Sequence, residues 1–283
     1  ATYMVPNYPD DPAQTLSNLS IAIKSVYASA FYSESKAYMK STTHVIDEEK
    51  MAVVLQEVAG TAFNDRFYPS ISGVARSINF YPVEPELTTD GTANIALGLG
   101  KYIVDGGLSL RFSPKYPKKV LQLSNPQMAL KETQNHFYAL NLKPGSFIVS
   151  IDDGCNLLKL DIKEAEKDKA LKHIVSTFDF ENQIIKDGML SEGKRIISFS
   201  NILNHNVVPM ADILLNVLET GQKEMGKPVE IEFAVDLNST DNGLYVFNLL
   251  QIRPIVDPRE ELEVSLSEIK NTDTMIVLLC PEF

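Results

Sequence analysis

Glu230 and Glu232 share one face of a period-2 stretch, Val229 to Leu237, and Gln251 and Arg253 share one face of a second, Leu244 to Val256. If the two stretches pair as strands, all four side chains converge. A carboxylate beside an amide oxygen is a donor set suited to Mg²⁺, which takes one or two protein oxygens and completes its shell with water and phosphate oxygens. A neighbouring guanidinium suits a phosphate. Alternation alone also fits an ordinary hairpin with a polar solvent face. The ligand reading gains from Tyr245 to Leu250, which is apolar on both faces apart from Asn248. A strand buried on both sides that turns polar only at its end needs partners there.

A second group of residues is Gly98-Leu99-Gly100-Lys101, at the exit of a predicted strand Ala93–Leu97 and the start of a short predicted helix, Lys101–Asp105, closed by Gly106-Gly107. Such a turn could cradle a phosphate on backbone N–H groups. It lacks the spacing of a P-loop, and Ile103 stands where a dinucleotide fingerprint needs its third glycine. A simple strand-to-helix turn therefore remains the other reading. Gln56, Glu57 and Val58 close the apolar run Met51–Val58, which reads as a strand buried on both faces. Backbone groups at such an edge can pair with an adenine, although an ordinary strand end has the same residues. The four histidines show no metal spacing, and no nucleophile elbow or Cys/His pairing points to a hydrolase.

The elements that must position these groups alternate in type. Apolar residues at helical spacing run from Thr15 to Met39, with Asp10 and Asp11 available as caps beside Pro12. Met51–Val58 and Ser72–Phe80 read as a hairpin-like pair of strands. Residues 109–145 carry Pro114, Pro117, Pro126 and Pro144 and read as connector, followed by a β-type segment Ser146–Ile151. Residues 159–195 are the most charged region, and Lys163–His173 within it suggests a solvated helix face. Met210–Met225 is an amphipathic helix closed by Gly226 and Pro228, and the final strand pair is joined through Asn242-Gly243. The expected organisation is α+β: a helical segment 1–45, a central sheet with its glycine turn 46–150, a charged insertion or subdomain 151–205, and a helix with paired strands 206–262.

Composition bounds the function. With 44% hydrophobic residues the chain folds around a sizeable core, and a formal charge of −11 (26 basic against 37 acidic side chains) disfavours a nucleic-acid partner. No run approaches the ~20 apolar residues of a membrane span, and no signal peptide opens the sequence. Cys155 and Cys280 lack redox or metal spacing, so a cytoplasmic protein is expected. The start at Ala1 and the apolar run Thr274–Leu279 close to the end read as cuts inside a longer protein.

Taken in order, Leu55-Gln56-Glu57-Val58, Ser72-Gly73-Val74-Ala75, Gly98-Leu99-Gly100, Asp105-Gly106-Gly107, Glu230-Ile231-Glu232-Phe233 and Gln251-Ile252-Arg253-Pro254 resemble the ATP-binding domain of phosphoenolpyruvate synthase and pyruvate phosphate dikinase. The Q-x-R-P after an acidic strand is the most specific part. The resemblance implies an ATP-grasp-like fold that passes a phosphoryl group from ATP to a histidine on a separate domain, with pyruvate held by a further barrel. It implies that Gln56 to Val58 meet the adenine, Glu232 and Gln251 hold Mg²⁺, Arg253 contacts the triphosphate, and Gly98, Gly100 and Lys101 lie along it. Relatives read E-x-x-x-G-L-G-E, whereas Asn94 and Lys101 stand near the first and at the last of those acidic positions. That departure leaves open a degenerate nucleotide-binding or regulatory module without phosphotransfer, and another ATP-grasp ligase is a third reading.

Overall fold

The computed structural model describes residues 1–33, 35–37, 52–190, 192–238 and 245–255. Helix α1 (Pro12–Ser29) starts where the sequence places it, with the Asp11 carboxylate accepting the Gln14 N–H at 2.9 Å and Pro12 in the first turn. The Asn-Gly turn between the last strands, the run Thr274–Leu279 and Cys280 lie outside the described residues.

A five-stranded antiparallel sheet organises the molecule in the order β12-β11-β3-β4-β5. Its strands are β3 (Ile71–Arg76), β4 (Thr92–Ala96), β5 (Leu110–Phe112), β11 (Val229–Asp236) and β12 (Val246–Pro254). Strict alternation separates its two faces. One face carries Ile71, Ala75, Ala93, Ile95, Leu110, Phe112, Ile231, Phe233 and Val235, all buried in the main core. Helix α6 (Met210–Met225) covers that face with Met210, Leu214 and Leu218 and ends at Gly226, whose φ of +66° favours glycine. Each such large side chain contributes about 1.5–3 kcal/mol by leaving water. The packing is close enough that a Cβ on Gly73 would lie 2.2 Å from the Phe233 ring.

Four further strands, β1 (Thr61–Phe63), β2 (Arg66–Tyr68), β6 (His136–Asn141) and β7 (Leu157–Asp161), form a second antiparallel sheet in that order. A third is built from β8 (Val175–Asp179), β9 (Ile184–Asp187) and β10 (Lys194–Ile197), in the order β10-β8-β9. Tyr68, Phe137, Ile174, Val175 and Phe199 join the same core cluster as the large sheet. Two short helices, α2 (Lys101–Val104) and α3 (Pro126–Glu132), follow β4 and β5, and α4 (Ile162–Lys167) and α5 (Ser200–Leu203) follow β7 and β10.

Three local expectations are corrected. Residues 109–145 are not a connector, because β5, α3 and β6 form there and Phe112 and Phe137 are fully buried; the prolines sit between elements or, as Pro126 does, at a helix start. Residues 52–59 form no strand, and Val54 and Leu55 are 84% and 63% exposed, so β3 pairs with β4 and β11 rather than with this run. Nor is Ser146–Ile151 a strand. A continuous apolar run shows that burial would be favourable, but it does not supply a partner strand.

Candidate functional site

The second face of the large sheet is polar, and the residues singled out from the sequence lie on it. Glu232 stands directly opposite Gln251, and Glu230 opposite Arg253, in the β11–β12 register. On the other side of β11, Glu232 stands opposite Val74 and Glu230 opposite Arg76. The rows continue through Asn94 to Arg111 and through Thr92. Gln251, Glu232, Val74 and Asn94 therefore form one row, and Arg253, Glu230, Arg76 and Thr92 the next, with side chains of directly opposite residues roughly 5 Å apart. A register shift between Glu232 and Phe233 bulges β12 at Leu250 and keeps Gln251 and Arg253 on the polar side.

The strand β12 is the edge of this sheet, and Leu249 is 46% exposed. The expectation that it is buried on both sides is thus corrected: its convergence with β11 comes from register, not from burial.

Glu230 is the buried member of the group. Arg253 donates to it through Nε at 2.9 Å and through its terminal nitrogen, and Arg76 donates Nε at 2.5 Å, while both guanidiniums keep about half of their surface in water. Burial pushes the Glu230 carboxyl up, but the bonds from Arg253 and Arg76 outweigh it and hold the group below the usual carboxylate range. One carboxylate thus fixes two cationic forks that point along one surface. Arg76 was not singled out from the sequence. The available signal was the two-residue spacing of Val74 and Arg76 on β3, which becomes informative only once β3 is known to neighbour β11.

The glycine turn lies at the end of the same face. Gly98 has φ +87°, and a Cβ there would come within 2.6 Å of the Tyr138 carbonyl, so packing alone requires glycine. Ser72 on β3 donates to the Gly98 carbonyl at 2.6 Å, and Leu99 N–H bonds the Tyr138 carbonyl at 2.9 Å. Gly100 differs. Its φ is −59°, and an added Cβ would meet Ser72 Cβ at an ordinary 3.6 Å. The fold itself does not demand a glycine there. Lys101 holds Asp105 and Asp153, each at 2.9 Å, and these two carboxylates, Asp153 first, raise its pKa above the usual lysine range.

Gln56 reaches the opposite edge of this region, donating Nε2 to the Leu250 carbonyl at 3.0 Å, beside Gln251. Glu57 is exposed and Val58 half-buried in the same non-strand segment. The structure therefore brings Gln56, Glu232, Gln251 and Arg253 to one sheet edge, with the glycine turn farther along the same face.

The donor set fits Mg²⁺. Among the described residues, the side chains of Asn94, Glu232 and Gln251 carry no hydrogen bond, and the described residues contain no cluster of three His, Cys, Asp or Glu able to enclose a metal by itself. One carboxylate with amide oxygens, open to a ligand, matches a cation that shares its shell with phosphate. Two cavities of about 420 and 290 Å³ lie elsewhere, and neither is lined by Glu232, Gln251 or Arg253.

The architecture is mixed α+β, with a polar sheet face, paired guanidiniums and a glycine turn, and it is the family match that makes it an ATP-grasp-like nucleotide-binding domain. The family of the pyruvate phosphate dikinase AMP/ATP-binding domain matches residues 10–273, and the chain belongs to that family. No curated protein matches the chain. Among the described residues, no helix is long and apolar enough to cross a membrane.

Proposed function

We propose that the polar face of the large sheet receives the triphosphate of ATP, for a phosphoryl transfer to a histidine on another domain of a phosphoenolpyruvate synthase or pyruvate phosphate dikinase-like phosphotransferase. The observation that carries this reading is the register that sets Glu232 opposite Gln251 and Glu230 between Arg253 and Arg76 on one face. Arg253 contacts phosphate oxygens, and Glu230 holds its fork in place. Glu232 and Gln251 hold Mg²⁺, with the Asn94 amide as a further oxygen donor. The bound cation supplies neutralisation of the charge on the transferring group. Gln56 to Val58 meet the adenine by main-chain groups, and Gly98, Gly100 and Lys101 line the phosphates. The cytoplasm is the expected compartment, and pyruvate would be bound by a separate domain of a longer protein.

The separation between Gly98 and Gly100 gives a direct test. Gly100→Ala is expected to leave the unfolding midpoint unchanged or slightly higher, because its backbone conformation suits alanine. The same change is expected to weaken Mg·ATP by about tenfold in calorimetric titration, since a methyl group displaces a phosphate from the turn. Unchanged affinity with intact stability rules Gly100 out of the phosphate path.

Asn94 and Lys101 favour a second reading, in which the same face binds nucleotide without transferring phosphate. An amide stands in the row with Glu232, and the Lys101 charge is already met by Asp105 and Asp153. Incubation of the full protein with Mg·ATP separates the two: AMP release with loss of phosphate from ATP supports transfer, and saturable binding without AMP supports the module.

A further inference from the structure

We propose that the cavity of about 420 Å³ beside β5 is a binding site for a small organic anion with an apolar body. Its walls come from four stretches of chain: residues 83–86, Arg111 on β5, residues 118–124, and residues 198–204 around α5. One side is apolar, with Val83, Val120 and Leu203 facing the space, and another is polar, with Ser198, Ser200 and Asn204. This mixture of an apolar lining with a few fixed polar groups is the usual makeup of a small-molecule site, and the volume falls within the usual range.

Charge sets the class of ligand. Arg111, Lys118 and Lys119 face Glu84 and Glu86, which leaves a local excess of one positive charge in a chain whose formal charge is −11. Glu86 is buried and already engaged, accepting from Asn79 at 2.8 Å and lying 3.4 Å from Arg111. Arg111 is also committed, donating to the Asn79 side chain and the Tyr81 carbonyl at 2.8 Å each. Lys118 and Lys119 remain, two positive charges against the one carboxylate of Glu84, exposed and unpaired among the described residues. Adjacent in sequence and exposed, they make no side-chain hydrogen bond or ion pair with the described residues. Two like charges at the rim of a partly apolar space favour a carboxylate or phosphate whose hydrocarbon part enters it. Ser198 and Ser200 are bound to Ser176, at 2.6 and 3.1 Å, and Ser200 to Asp187 at 2.6 Å, so the polar wall is rigid rather than reactive.

The site is distinct from the proposed nucleotide face. Arg111 stands opposite Asn94 in the β4–β5 register, but its side chain turns into the 79–86 loop.

The test uses 1-naphthoate and its neutral analogue 1-naphthalenemethanol as probes, titrated calorimetrically into the full protein. The wild type is expected to bind naphthoate at one saturable site, with affinity unaltered by saturating Mg·ATP or by Arg253→Ala. Changing both Lys118→Gln and Lys119→Gln is expected to weaken naphthoate about tenfold and leave the neutral probe unaffected. Ser124→Trp, at an exposed position on the cavity wall, is expected to block both probes. Absence of saturable binding, displacement by Mg·ATP, or indifference to both variants overturns the proposal.

Discussion

Replacing Arg253 with alanine is expected to weaken Mg·ATP binding by roughly 10- to 150-fold, the equivalent of about 1.5–3 kcal/mol for a lost hydrogen bond to a charged group. The size follows from the geometry of the clamp. Glu230 holds the guanidinium by its Nε and a terminal nitrogen, so the remaining donors are aimed without further ordering of a long side chain. Arg253→Lys keeps the charge but loses the fork, and its affinity should fall between the two. The folded state should tolerate the alanine variant, because Arg253 is 58% exposed and Glu230 retains Arg76. Calorimetric titration checks the prediction, and affinity within twofold of wild type in Arg253→Ala removes this residue from the phosphate site.

Glu230→Gln is expected to lower both stability and nucleotide affinity. Removing one partner of a buried ion pair commonly costs about 3–5 kcal/mol. Here water reaches Arg76 and Arg253, which are 44% and 58% exposed, so a loss of roughly 1–3 kcal/mol at neutral pH is the appropriate size. The sign with pH follows from the lowered carboxyl of Glu230. Its stabilisation is fully present above the unfolded glutamate value of about 4.3 and is lost as pH falls through the lower folded value. The gap in urea midpoint between wild type and Glu230→Gln should therefore be constant from pH 7 to about pH 5 and shrink below about 4.3. A gap that persists undiminished in acid would assign the loss to packing rather than to charge.

Several parts of the site were legible because a two-residue period fixes faces without knowledge of the fold. Glu230, Glu232, Gln251 and Arg253 needed only the pairing of β11 with β12 to meet, and the structure supplies it in the expected sense. The helix Met210–Met225 and the turn after β4 were likewise readable from amphipathic spacing and glycine. Arg76 was not, since its role depends on β3 lying next to β11 across more than 150 residues of chain. The run Met51–Val58 misled over its described residues, 52–58, for a related reason: hydrophobicity measures the advantage of burial and is silent about whether a neighbour is provided. The prolines between 114 and 144 misled in the other direction. They punctuate short elements: fully buried Phe112 lies just before the first of them, and fully buried Phe137 between Pro126 and Pro144.

The polar face between β12 and the glycine turn is expected to take the triphosphate. Hydrogen–deuterium exchange of the full protein, with and without saturating Mg·ATP, tests it by location as well as by affinity. Slower exchange is expected in peptides covering residues 52–60, 98–105 and 246–255, and the change in all three should shrink in Arg253→Ala at a nucleotide concentration that just saturates the wild type. Protection confined to other segments, with these three unchanged, would contradict the account.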